Sequence, residues 1–346
     1  MKLFKICMIL SVVITALGAG AAAAAPDVII LKVAHPNPPT STANQLLITP
    51  WCNKINKESN GRLKCQIYPS MQLGGTPAQL FDQARDGVAD IIWTVPTYQA
   101  GRFLKTEVFE LPFMTINAEK GSPALWDYIQ KNSLDEFKGT KLIFAHLHDG
   151  TQIQLRSKTI KTLEDFNGLK LRAPTRIGSR IVAALGSIPV QMPVPSVPEA
   201  VAKGVVDGAM LPWEIMTAFK MQEIAKIHVE TPADLPKVSN TIFVMAMNKA
   251  KYDSLAPELK SVIDTNSGVE MSKWAGQIWD TTTAPGRKIA QDRHNTFISV
   301  TPAEYKRWVK ATESVDDDWI KEVGVRGING KALLNDAKLL LEKYNK

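Results

Sequence analysis

Apolar and polar positions change period many times along this chain, and each change marks an element. Val28 to Ala34 is an apolar run of strand length, followed by a loop rich in proline and threonine, His35 to Thr42. Leu47, Trp51 and Ile55 recur every fourth residue with Ile48 and Cys52 beside them, the stripe of an amphipathic helix. Asn60-Gly61 ends that helix, and Arg62 to Tyr68 alternates as a strand does. The pattern then predicts a helix near Ala78 to Asp86, a strand near Asp90 to Val95, a helix near Pro123 to Asn132 and a strand from Lys141 to Ala145. A second series begins after Gly150, with strand Leu169 to Ala173, helix Ile177 to Leu185, strand Ile188 to Met192 and helix Pro198 to Lys203. It continues with a strand at Val206 to Leu211, a helix from Trp213 to Glu223 and a strand at Thr241 to Met247. Leu255 to Phe297 reads as mostly helical, and the last forty residues as amphipathic helix broken at Gly324 to Gly330. Alternating strands and helices predict a mostly parallel sheet covered on both faces.

One short repeat adds to this picture. Gly87-Val88-Ala89-Asp90 and Gly204-Val205-Val206-Asp207 share the spacing Gly-Val-x-Asp, and each lies between a predicted helix and an apolar strand that leads to Pro96 or Pro212. Four residues can match by chance, but the matching surroundings point to two domains of similar design facing each other across a cleft.

The N-terminus carries an address. Lys2 and Lys5 precede an apolar run, Ile6 to Leu17, and small residues follow from Gly18 to Ala25, the order of a signal peptide. The run is shorter than the ~20 residues of a spanning helix. Pro26 disfavours a cut directly after Ala25, so cleavage is expected near Ala24, and Cys7 lies inside the apolar run, away from any lipid-anchoring position. No later stretch is long and apolar enough to span a bilayer, so the mature protein is expected not to be membrane-inserted. Removing residues 1–24 from 346 leaves material for two ordinary domains. Net charge, +7 for the whole chain and +5 without Lys2 and Lys5, is spread along the sequence with no basic run of the kind that binds nucleic acid. Cys52 and Cys65 remain after cleavage, and an even pair in an oxidising compartment reads as a disulfide. The rival, metal binding, has neither a paired-ligand spacing nor a nearby histidine.

Enzymatic signatures are missing from the sequence. It contains no Gly-x-Ser-x-Gly, His-Glu-x-x-His, Walker loop or Cys-x-x-Cys. His146 and His148 alternate near a strand end beside Asp149 and could ligate a metal, as in a secreted metal-dependent hydrolase; an interdomain loop with ordinary polar contacts explains them better. Asp316 to Asp318 fits a solvated helix face better than a calcium site. No metal and no cofactor is expected.

The segment Ile160-Lys161-Thr162-Leu163-Glu164-Asp165-Phe166-Asn167-Gly168-Leu169-Lys170-Leu171-Arg172-Ala173-Pro174 resembles the central signature of the extracytoplasmic receptors of TRAP transporters, the DctP-like family. Gln72-Leu73-Gly74-Gly75, the Gly-Val-x-Asp at 87–90 and Val206-Asp207-Gly208 sit where that family has similar motifs, so the resemblance covers essentially the whole mature chain. It implies an α/β, two-domain periplasmic-binding-protein-like fold: two mixed sheets flanked by helices, a ligand cleft between them, and long C-terminal helices. The expected boundaries are 25–149 plus 238–278 for one domain and 150–237 plus 279–346 for the other. It also implies a periplasmic receptor, not an enzyme, that closes on a carboxylate and docks on the membrane permease subunits of an ion-driven symporter. A binding protein of an ATP-driven importer shares the two-domain logic and is the alternative.

Arg172 is the residue both lines of reasoning meet on. Leu169 and Leu171 alternate with Lys170 and Arg172, and Ala173-Pro174 stops the strand. That places Arg172 at the C-terminal end of a parallel strand, where open α/β sheets bind ligands. Its planar guanidinium can hold a carboxylate through two parallel N–H donors. The competing role is an ion pair with Glu164 or Asp165. In the family the matching arginine binds the substrate carboxylate. Two departures shape the expected ligand: Gln152 stands where some members, notably sialic-acid receptors, carry another arginine, and Leu211 where many carry asparagine. A second carboxylate would find no cationic partner, and Met210, Trp213 and Met192 offer an apolar wall, with core packing the alternative for each. The expected ligand is therefore a monocarboxylate, a 2-oxo or 2-hydroxy acid or an aromatic acid. Thr94 and Tyr98 would face Arg172 across the cleft and donate hydroxyl hydrogen bonds. Glu214, at a helix start, is favoured there by the helix dipole alone and has no assigned role.

Overall fold

The computed structural model describes residues 27–345; the expected signal peptide, its cleavage point and Cys7 lie outside the described residues. Eleven strands are described: β1 (Ile29–Ala34), β2 (Leu63–Tyr68), β3 (Ile91–Thr94), β4 (Thr140–His146), β5 (Gln152–Leu155), β6 (Lys170–Ala173), β7 (Ile188–Gln191), β8 (Gly208–Leu211), β9 (Ile227–Glu230), β10 (Phe243–Asn248) and β11 (Thr296–Ser299). They form two sheets, ordered β2-β1-β3-β10-β4 and β11-β9-β5-β8-β6-β7. Each is mixed for one reason: a single strand, β10 in the first and β5 in the second, runs antiparallel to both neighbours. In both cases the reversed strand follows directly after a crossing from the other sheet.

The Gly-Val-x-Asp repeat has the same job in both sheets. Gly87 and Gly204 leave their helices at φ 79° and 71°, a left-handed turn that glycine adopts without strain. Asp90 then accepts the Lys32 N–H of β1 at 2.8 Å, and Asp207 accepts the Lys170 N–H of β6 at 2.8 Å. The carbonyls of the same aspartates receive Asn248 N–H at 2.8 Å and Arg156 N–H at 2.9 Å from the reversed-strand side. Each motif thus pins a central strand between a parallel neighbour and the antiparallel one. Cys52 and Cys65 are joined, tying the helix Thr49–Glu58 to β2.

Four expectations about elements need correction. Strands β5, β9 and β11 were not legible as strands: each is four residues long, and β5 and β9 bury Gln152, Gln154 and His228 among their apolar residues. The glutamine oxygens find partners there, Gln154 Oε1 with His228 Nδ1 and Gln152 Oε1 with Thr231 N–H at 3.1 Å. Phe297 accordingly belongs to β11 and not to the expected helical stretch. The expected helix from Trp213 to Glu223 is two short turns, Ile215–Ala218 and Met221–Ile224, separated by Lys220 at φ 53°. A continuous helix would set Met216 and Met221 roughly 140° apart. The break lets both bury in one cluster.

The helix Val269–Asp292 joins the two halves. A Cβ on Gly276 would sit 2.3 Å from Ala118 O, beside the first sheet, and one on Gly286 would sit 2.2 Å from Trp213 O, beside the second. Close backbone approach at both ends therefore requires glycine. Helix Pro302–Val325 packs on Arg176–Ala184 beside the second sheet, whereas Gly330–Asn345 returns to Ala118–Tyr128 beside the first. Gly330–Asn345 also packs on Pro302–Val325, so it touches elements of both halves.

Candidate functional site

The C-terminal ends of β3, β6 and β8 converge with the start of β10 around a cavity between the two sheets. About 420 Å³ of space, part of it open to solvent, lies between the lining atoms. Arg172, on β6, is 2% exposed. Its Nε donates to Met192 O at 2.9 Å and its Nη1 to Met210 O at 2.9 Å, and the Tyr98 hydroxyl is its third partner. Burial acts against its charge, and only Tyr98 offsets this. No carboxylate pairs with it among the described residues: Glu164 pairs with Arg307, and Asp165 accepts the Lys161 and Thr162 N–H groups of its own turn. Arg172 is the one cationic side chain among the described residues of the lining. A buried cation without a counter-ion is costly, and an anionic guest removes that cost.

Facing it from the first sheet are Tyr98, His148, Trp93 and Phe243. The Tyr98 hydroxyl also accepts Val194 N–H at 3.3 Å, so this phenol ties both sides of the cavity together. His148 Nδ1 accepts the Gly150 N–H at 2.9 Å, which leaves the proton on Nε2. Burial, then His146 and Arg172, push His148 down to about 3, so the ring is neutral. His146 is neutral too: its Nε2 accepts the Trp93 indole N–H at 2.9 Å and its Nδ1 donates to Leu147 O at 2.9 Å. With both nitrogens committed, His146 has no lone pair for a metal. Trp93 and Phe243 stack at 4.8 Å and 8°, and Phe243 stacks on His146 at 5.0 Å and 12°, giving the cavity a flat aromatic wall. Glu214 closes another part of the lining, where burial pushes its carboxyl up to about 8, keeping it protonated at neutral pH.

Of the residues named from sequence, the structure brings Arg172, Tyr98, Met210 and Leu211 together at this cavity. Thr94, Gln152, Trp213 and Met192 do not line it. Three of these share one cause. Side chains alternate between faces of an extended chain, so a shift of one residue reverses orientation. Trp93 and Val95 line the cavity and Thr94 between them does not; Thr151 does and Gln152 does not; Pro212 and Glu214 do and Trp213 does not. Trp213 instead stacks on Phe297 at 5.6 Å, donates to Glu230 Oε1 at 3.0 Å, and with Gln152 lines a neighbouring groove. Met192 contributes its carbonyl to Arg172, while its side chain lines an outer depression beside Ser196 and Glu199. The residues that sequence reasoning missed are Trp93, Phe243 and Asn37, and His148 and Glu214 were seen without a ligand role. Nothing in the local pattern singled out Trp93, because Ile91 to Thr94 is buried on both faces.

Comparison with known proteins agrees with this geometry. The family model described as bacterial extracellular solute-binding protein, family 7, matches residues 33–322. A TRAP solute binding protein from Rhodoferax ferrireducens T118, in complex with copurified benzoate, is 42% identical, with a TM-score of 0.90 and coverage of 92% of this chain and 98% of that one. A marine metagenome TRAP solute binding protein specific for aromatic acid ligands, in complex with 3-hydroxybenzoate, is 43% identical, with a TM-score of 0.91 and coverage of 92% and 100%. A third, from Bordetella bronchiseptica with bound (R)- and (S)-mandelate, is 27% identical, with a TM-score of 0.84 and coverage of 91% and 99%.

Proposed function

This chain belongs to the bacterial extracellular solute-binding proteins of family 7, and from that premise we propose that it captures an aromatic monocarboxylate and presents it to the membrane permease of a TRAP transporter. The observation that carries this is the buried Arg172 guanidinium, free of any carboxylate among the described residues and set beside the stacked Trp93 and Phe243. A single cation matches one carboxylate, and a flat aromatic wall matches a ring. The similar proteins with bound benzoate, 3-hydroxybenzoate and mandelate support the same class. In this reading Arg172 holds the carboxylate. His148 Nε2–H and the Tyr98 hydroxyl flank it, and Met210 and Leu211 line the slot. The protein works as a periplasmic receptor, freed of its leader near Ala24, and not as an enzyme or a nucleic-acid binder. No helix among the described residues is long and apolar enough to cross a membrane.

The test is a thermal-shift and calorimetric panel of benzoate, hydroxybenzoates, mandelate, pyruvate, succinate and malate. Aromatic monocarboxylates should stabilise the protein most. Stronger stabilisation by succinate or malate would overturn the reading, since a second carboxylate has no cation to meet.

A further inference from the structure

The cavity contains a second polar feature that the carboxylate reading leaves unused. Asn37 and Glu214, 3% and 6% exposed, both line it. Asn37 Oδ1 and Glu214 Oε1 are buried without a hydrogen-bond partner among the described residues. The charge of Arg172 acts on Tyr98 and His148, whereas the surroundings of Glu214 are Thr42, Asp149 and Trp279. Thr42 ends the 35–42 loop that carries Asn37.

We propose that Asn37 and Glu214 form a hydroxyl-recognising subsite, so that this receptor selects aromatic acids bearing a ring hydroxyl over the unsubstituted acid. The inference rests on the aromatic-acid reading above and adds a chemical preference to it. A phenolic hydroxyl donates one hydrogen bond and accepts another. Asn37 Oδ1 takes the donated proton, and Glu214, held protonated by burial, can either give or take one. An unsubstituted ring edge would leave both oxygens unpaired in a dry site, and sites built to bond a hydroxyl reject analogues that lack it.

Calorimetry on the mature full chain with benzoate, 3-hydroxybenzoate, 4-hydroxybenzoate and 3-methoxybenzoate reads this directly and needs no variant. The better hydroxybenzoate should bind roughly tenfold to a hundredfold tighter than benzoate. A methoxy oxygen cannot donate, so 3-methoxybenzoate should not share the gain. In Asn37→Leu and Glu214→Leu, with folding checked by circular dichroism, the hydroxyl preference should shrink to within roughly threefold. Glu214→Gln, whose amide also donates and accepts, should keep most of it. Benzoate binding as tightly as both hydroxybenzoates, equal binding of 3-methoxybenzoate and 3-hydroxybenzoate, or a preference that survives in both leucine variants would overturn the proposal. Failure of all four acids to bind would overturn it together with the aromatic-acid reading, so the two failures are distinguishable.

Discussion

Replacing Arg172 by alanine should abolish useful ligand capture while leaving the fold in place. The guanidinium is 2% exposed, and its Nε is committed to Met192 O. One Nη1 proton is committed to Met210 O, which leaves the second Nη1 proton and the Nη2 group as the donors a carboxylate can take. In the complex, removing the fork strands the ligand's charge in a site that excludes water, a penalty of about 3–5 kcal/mol. This equals a loss of roughly two to four powers of ten in affinity, since about 1.4 kcal/mol is tenfold. The unliganded protein feels two opposed effects. Met192 O and Met210 O lose donors, at about 1–3 kcal/mol each if water does not replace them, while an uncompensated buried cation disappears. Its melting temperature should therefore shift far less than that of the complex. Arg172→Lys restores a point charge but not a planar fork, and should recover only part of the affinity. Titration calorimetry with benzoate and 3-hydroxybenzoate, beside circular dichroism of each variant, provides the measurement. A folded Arg172→Ala that binds either acid with wild-type affinity would refute the reasoning and leave the carboxylate without a partner.

The pH dependence of stability and the disulfide provide two further predictions. Burial raises Glu110 and Asp149 to about 7 and Glu214 to about 8, from ordinary values of 4.5, 3.8 and 4.5. The folded protein thus holds protons that the unfolded chain has released, and stability falls as pH rises through these values. Buried His35 and His228, lowered to about 4, and His146 and His148, lowered to about 3, act in the opposite sense, from those values up through the unfolded value of 6.5 and fading about one pH unit above it. Between pH 6.5 and 8 the three acids outweigh the fading histidine effect, and ligand-free stability should drop by about 1–2 kcal/mol. Denaturant titrations across that window that stay flat or rise would count against it. Reducing the Cys52–Cys65 bond, which closes a 13-residue separation, should cost about 3 kcal/mol and lower the melting temperature. Ligand affinity should stay unchanged, because neither cysteine lines the cavity; equal melting with and without reductant would contradict this.

Local chemistry was legible wherever one side of an element met water. The helix stripe at Leu47, Trp51 and Ile55 is buried as its spacing requires. The strand-stopping Ala173-Pro174 placed Arg172 at the strand end that faces the cavity. The repeated Gly-Val-x-Asp announced two sheets of one design, and its aspartates hold equivalent strands in both. The resemblance carried by residues 160–174 pointed to the family that the match over residues 33–322 establishes.

What only the tertiary structure decided is which face each strand end turns to the cavity. Trp93 and Thr94 are both buried, so no contrast of polar and apolar marks the inner face, and Thr94, Gln152 and Trp213 each stand one residue from the side chains that line the cavity. The reversed strands β5 and β10 depend on crossings between sheets, and no local period records a crossing. The aromatic wall joins Trp93 to Phe243, 150 residues apart in the chain, through the pairing of β3 with β10, and the cavity gathers Asn37 and Glu214, 177 residues apart, into one lining. Such long-range neighbours arise when strands pair within a sheet and when the two sheets close over a common core, because burial rewards any apolar surface removed from water without regard to sequence distance. Sequence alone determined most of the elements, the family and the cation; strand pairing and the closing of the two sheets decided what surrounds that cation.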